Sequence, residues 1–81
     1  MDIELVNRIS NKNINEINKE DVTTFLYDMF KGNYENLNKE EIIKAKKLIS
    51  PLIQFYKEEA ILAFKIIQTE NLEELKKKYK N

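Results

Sequence analysis

Carboxylates in three close groups are the side chains of this chain best suited to chemistry. The 81 residues include no His and no Cys. That removes the commonest general base, the thiol nucleophile and the usual zinc ligands. A single Gly cannot build a glycine-rich phosphate loop, and no acidic run has the spacing of a calcium loop. The remaining candidates are the pairs Glu40-Glu41 and Glu58-Glu59 and the trio Glu70, Glu73 and Glu74. All-α carboxylate hydrolases hold Mg²⁺ or Mn²⁺ with several acids that converge from facing helices. Glu40 and Glu41 fall instead in the first turn of a predicted helix, where they oppose its positive pole. The trio interleaves with Lys as exposed i, i+4 pairs do. No catalytic residue, metal or cofactor is assigned, and the chain is read as non-enzymatic.

Glu59 stands apart from the other acids. On a helical wheel it lies inside an apolar arc, between Leu52, Phe55, Leu62 and Ile66. A buried, unpaired carboxylate is costly. Glu59 is therefore expected to reach out between its neighbours, or to meet Arg8, a Lys or a Tyr hydroxyl at a contact between helices or subunits.

The cations suggest nucleic acid as the alternative partner. Lys44, Lys46 and Lys47, with Lys76, Lys77, Lys78 and Lys80, make the second half basic. Residues 1–41 carry nine acids and five bases, residues 42–81 five acids and nine bases. The halves thus sit near −4 and +4, while the whole chain sums to zero with a pI near 6.3. The simplest use of that division is internal, with acidic helices lying on basic ones; the other is a bipolar surface that suits pairing. A dedicated nucleic-acid binder is usually basic overall. The candidate recognition helix, residues 39–50, also lacks the Arg, Asn or Gln that read base edges. Nucleic-acid regulation is accordingly the second reading.

The elements that position these residues are legible from a repeated helix-start signal. Ile17-Asn18-Lys19-Glu20-Asp21-Val22 recurs as Leu37-Asn38-Lys39-Glu40-Glu41-Ile42. In each, Asn is placed to cap, the acid three residues on can reach back to the cap amide, and the flanking hydrophobes can close a staple. A first helix is predicted over residues 2–10, with Ile3, Val6 and Ile9 on one face. The second runs from Asn18 to about Lys31 behind the stripe Val22, Phe25, Leu26, Met29 and Phe30, and Gly32 stops it. Tyr27 projects from the opposite face. The third runs from Lys39 to about Ser50. At Ser50-Pro51 a kink or tight break is expected, with roughly coaxial segments on either side. A last helix is expected to start near Thr69 or Asn71 and to carry Leu72, Leu75 and Tyr79.

One Gly and one Pro argue against a turn-rich β fold. The expected architecture is all-α: one domain over residues 1–81, a compact bundle of four to five short helices, mostly antiparallel, with a central hydrophobic helix at 51–68. Its core should hold Val6, Ile9, Val22, Phe25, Leu26, Met29, Phe30, Ile42, Ile49, Leu52, Ala60, Ala63 and Ile67. The apolar arc of 51–68 is too broad for a helix covered by one neighbour, so that helix sits mid-domain or faces a partner. The chain opens on acids where a signal peptide would be basic, and its longest apolar stretch, residues 60–64, is too short to span a bilayer. A cytoplasmic protein is expected. By elimination and by the spare apolar arc, the expected function is that of a small protein-interaction module, of the inhibitor, immunity, accessory or adaptor kind. The expected docking residues are Tyr27, Tyr34, Phe55, Tyr56, Glu59, Leu62 and Ile66. Self-pairing as a homodimer is compatible with the same features.

Overall fold

Both Asn-led signals cap helices in the computed structural model, which describes residues 1–79 and the side-chain surroundings of residues 1–78. Helix α1 spans Ile3–Ser10, α2 Lys19–Lys31, α3 Lys39–Phe55 and α4 Lys57–Tyr79, with a 3-10 turn at Ile14–Glu16 between α1 and α2. The described residues contain no strand, and the fold is an all-α bundle of four helices.

The two caps share one design and differ in one detail. The Asn38 side chain accepts from the Glu41 amide at 2.9 Å, and the Asn38 amide in turn donates to the Glu41 carboxylate at 2.9 Å. Asn18 accepts from the Glu20 and Asp21 amides at 2.8 and 3.3 Å. The Asp21 carboxylate does not turn back to its cap. It takes two bonds from Arg8, 3.2 Å from Nε and 3.3 Å from Nη2, and so ties α1 to α2. That paired geometry is the stronger form of a surface ion pair, and it holds the Arg8 guanidinium above its ordinary pKa. The staple positions Ile17, Val22 and Leu37 are buried. Gly32 ends α2 at φ 76°, where its amide bonds the Asp28 and Met29 carbonyls.

Side-chain pairings give the helix directions. Arg8 meets Asp21 while the amino group of Met1 approaches Asp28, so α1 and α2 run antiparallel. Lys44 reaches Asn7, and Leu48, Pro51 and Leu52 lie beside Ile9 and Ser10, so α3 runs with α1. Lys19 lies near Tyr56 and Glu59, and Tyr27 and Lys31 meet Glu70, so α4 runs with α2. Ala45, Ala60 and Ala63 are buried. Small side chains at these positions let helix backbones approach closely.

The helix boundaries differ from expectation at two places. Of the kink or tight break expected at Ser50-Pro51, the break is absent: α3 passes through Pro51 to Phe55. The corner falls five residues later, at Tyr56, whose backbone leaves the helix at φ −111°, ψ 60°. Tyr56 closes α3 through its amide on the Leu52 carbonyl at 2.7 Å and opens α4 through its own carbonyl, which accepts from the Ala60 amide at 3.0 Å. The second difference is at Thr69 and Asn71, where no new helix begins. The Thr69 hydroxyl bonds the Lys65 carbonyl one turn back, at 2.9 Å, and α4 continues through both residues. A side chain satisfied on the preceding turn no longer competes for a cap.

The core is largely as read, with corrections. Val6, Ile9, Val22, Phe25, Leu26, Met29, Leu52, Ala60 and Ala63 are buried. Phe30 is exposed, and Ile42, Ile49 and Ile67 are half-buried. Leu5, Ile17, Leu37, Ala45 and Tyr56 complete the interior in their place. The ion pairs do not follow the expected division of charge. Arg8 and Asp21 both belong to the acidic half, and Lys31 of that half pairs with Glu70 of the basic one.

Candidate partner-binding surface

Helix α4 is the element that positions the site. Its 23 residues make a rod of about 34 Å. Ala60 and Ala63 face the interior, with Glu59, Ile67 and Glu70 half-buried beside them. The rest of its circumference lacks cover. Ile61, Phe64, Leu72 and Leu75 are each at least half exposed, and so is Leu62. An exposed leucine is ordinary on a protein surface, but a contiguous apolar stripe is not.

Two bare flanks result from the helical repeat. Ile61, Phe64, Gln68, Leu72 and Leu75 follow one another at i, i+3, i+7, i+11 and i+14, which keeps them on one side of the rod for about 21 Å. Phe30 and Ile53 border the upper part of this stripe and, with Ile61 and Phe64, line an open recess whose rim carries Lys57 and Lys65. Phe30 and Phe64 meet edge to face at 6.3 Å between ring centres. The second flank holds Leu62 and Ile66, both exposed.

The expected docking residues divide between surface and interior. Phe55, Leu62 and Ile66 are exposed. Tyr56 is 6% exposed and belongs to the core. Its hydroxyl donates to the Ile14 carbonyl and, at 3.2 Å, to the Ile17 carbonyl, which anchors the α3–α4 corner to the 3-10 turn. Tyr34 is half-buried against the core, with the Lys46 ammonium 5.8 Å from its ring centre. Glu59 is half-buried near Lys19, Phe55 and Tyr56 and has no ion-pair or hydrogen-bond partner among the described residues; of its two expected roles, pairing with Arg8, a Lys or a Tyr hydroxyl does not occur within the chain, and Arg8 is taken by Asp21.

Tyr27 is half-buried and engaged, not displayed. Its hydroxyl donates to the Glu70 carboxylate at 2.7 Å, and Lys31 reaches the same carboxylate at 2.8 Å while lying over the Tyr27 ring. Lys31 and then Tyr27 hold the Glu70 carboxyl below its ordinary range. Glu70 in turn raises the pKa of Tyr27 and of Lys31. This trio fastens the end of α2 to the middle of α4, and it removes Glu70 from any acidic cluster with Glu73 and Glu74. Among the described residues no group of three His, Cys, Asp or Glu side chains could hold a metal.

The lysines of the nucleic-acid alternative sit on two helices. Lys44, Lys46 and Lys47 are exposed on α3; Lys44 contacts Asn7 and Lys46 contacts Tyr34. Lys76, Lys77 and Lys78 occupy the last turns of α4, at the negative end of its dipole. Lys80 lies outside the described residues.

Sequence reasoning missed Ile61, Phe64, Leu72 and Leu75 as docking candidates and placed Phe30 inside. The signal was the five-residue spacing from Ile61 to Leu75. It is unreadable once a helix break is placed at Thr69 or Asn71, because the break separates its two halves. No helix of the described residues is long and apolar enough to cross a membrane. The chain matches no protein-family model, no curated protein and no solved structure.

Proposed function

We propose that this protein is a non-enzymatic interaction module that docks another protein surface through the bare apolar side of α4. One observation carries the proposal. Ile61 and Phe64 and, past the polar Gln68, Leu72 and Leu75 stand exposed along one side of α4, extended sideways by Phe30 and Ile53. Surfaces of this kind, rimmed by charge, serve as protein interfaces, and their aromatic members supply most of the affinity. An inhibitor, immunity, accessory or adaptor protein acts by such occupation alone.

Photo-crosslinking in the native host tests it. A photoreactive amino acid replaces Phe64, or, as a control, the exposed Glu73 on the other side of α4. Irradiation should yield a protein adduct from position 64 and none from position 73. Equal adducts from both positions, or none from 64, would contradict the proposal.

A further inference from the structure

We infer that the occupant of the α4 stripe is a second copy of this chain, laid antiparallel across it about a two-fold axis at Gln68. This rests on the docking role of α4 proposed above. The stripe is symmetric in sequence about Gln68. Ile61 and Phe64 stand seven and four residues before it, Leu72 and Leu75 four and seven after it. Turning the helix end for end therefore sets Ile61 against the partner's Leu75 and Phe64 against the partner's Leu72. Like meets like in an isologous contact, where one patch must complement itself. The 3-4-4-3 spacing follows from the helical repeat, and it lets the stripe meet itself end for end.

Shape and charge fit the same arrangement. The recess between Phe30, Ile53, Ile61 and Phe64 is open, and it lies where the partner's leucines land. Gln68, the one polar member of the stripe, falls on the axis. There the two carboxamides can exchange hydrogen bonds, each amide donating to the other's carbonyl. A lone polar residue in an apolar seam is a known device for fixing register and orientation. Glu58 and Lys76 lie on the same flank of the stripe, ten residues before and eight after Gln68. The axis brings each Glu58 near the partner's Lys76, two opposite-charge pairs per dimer. The area also suffices. Half-exposed Ile61, Phe64, Leu72 and Leu75, with Phe30 and the neighbouring polar stems, give about 600 Å² per copy and so about 1,200 Å² in total, at the lower edge of specific interfaces. An interface of that size belongs with weaker, reversible associations.

Light scattering from low to high micromolar concentration, combined with cysteine crosslinking, tests the inference. The chain has no native Cys, so engineered positions report without background. The mass should rise from 9.7 kDa toward twice that value. Under mild oxidation a mixture of Ile61→Cys and Leu75→Cys chains should crosslink, as should Gln68→Cys with itself, whereas Ile61→Cys alone should not. Gln68→Glu, a surface change, should weaken dimerisation at least tenfold at neutral pH by placing two carboxylates together on the axis. A mass of 9.7 kDa at every concentration would overturn self-pairing. The docking role of α4 would then be decided separately by the photo-adduct at position 64. A dimer in which Ile61→Cys crosslinks with itself, or which Gln68→Glu leaves intact, would overturn the antiparallel geometry.

Discussion

Replacing Tyr56 by Phe removes one oxygen from the corner between α3 and α4. The ring remains, so no cavity forms and packing against the core is unchanged. What disappears is a hydroxyl that divides its proton between the carbonyls of Ile14 and Ile17. The net value of one such bond is about 0.5–1.5 kcal/mol. The carbonyl of Ile17 adds a cost, because its bond to Tyr56 is buried and stripping the donor leaves it poorly solvated. The carbonyl of Ile14 is nearer solvent and can recover a water. The expected loss is about 1–2 kcal/mol in total, or about 6–12 °C in Tm for a domain of this length. Urea unfolding followed by helical circular dichroism gives the free energy, and Tyr34→Phe serves as the control. The Tyr56 variant should lose stability with an unchanged denaturant slope. Hydrogen exchange should also quicken at residues 14–17, since the hydroxyl is what ties the 3-10 turn to the corner. A Tyr56→Phe protein as stable as the parent, within about 0.3 kcal/mol, would refute the assignment of the corner to this anchor.

Other perturbations follow from the same packing. Ala63 is fully buried where α4 lies against its neighbours, so Ala63→Leu should overpack and cost about 1–3 kcal/mol in chemical denaturation. Asn38→Ala removes the side chain that accepts from the Glu41 amide and should cost about 1 kcal/mol, read in the same assay. The Tyr27–Lys31–Glu70 trio gives a pH dependence that Tyr27→Phe should blunt. Glu70 has a lowered pKa, so its contribution is complete above the ordinary carboxylate range and is lost as pH falls through the lowered value. Tyr27 and Lys31 have raised pKa values, so theirs is complete below the ordinary tyrosine and lysine ranges and is lost as pH rises through the raised ones. Unfolding measured across pH should show the parent's advantage over the variant at mid-range pH and its decline toward both extremes.

Local signals with a local cause were readable from sequence. Asn18, Asn38 and Gly32 act within one turn of themselves, and the structure uses each as expected. The stripe of α2 was likewise readable, because Val22, Phe25, Leu26 and Met29 repeat with the helix and all point inward. The corner at Tyr56 was not. No Gly, Asn or Pro marks it; what accompanies the bend is a hydroxyl bonded to residues some forty positions away. Pro51 drew attention instead, yet it sits inside α3, on the exposed side. The same tertiary choice hid Tyr27, whose wheel position looked outward until the length of α4 brought Glu70 beside it. The broad apolar arc expected over residues 51–68 leaves Phe55, Ile61, Leu62, Phe64 and Ile66 exposed. The stripe from Ile61 to Leu75 was missed, because the helix carrying it was expected to end before Leu72.

The central claim is that a single chain leaves the stripe of α4 uncovered. Methyl resonances in the presence of a soluble paramagnetic probe test that claim most directly, at a dilution where light scattering reports only monomer. The methyls of Ile61, Leu72 and Leu75 should broaden strongly while those of Leu26 and Leu52 stay sharp, as their burial requires. Stripe methyls as well protected as Leu26 in the dilute monomer would contradict the claim, for the chain would then be covering that face by itself.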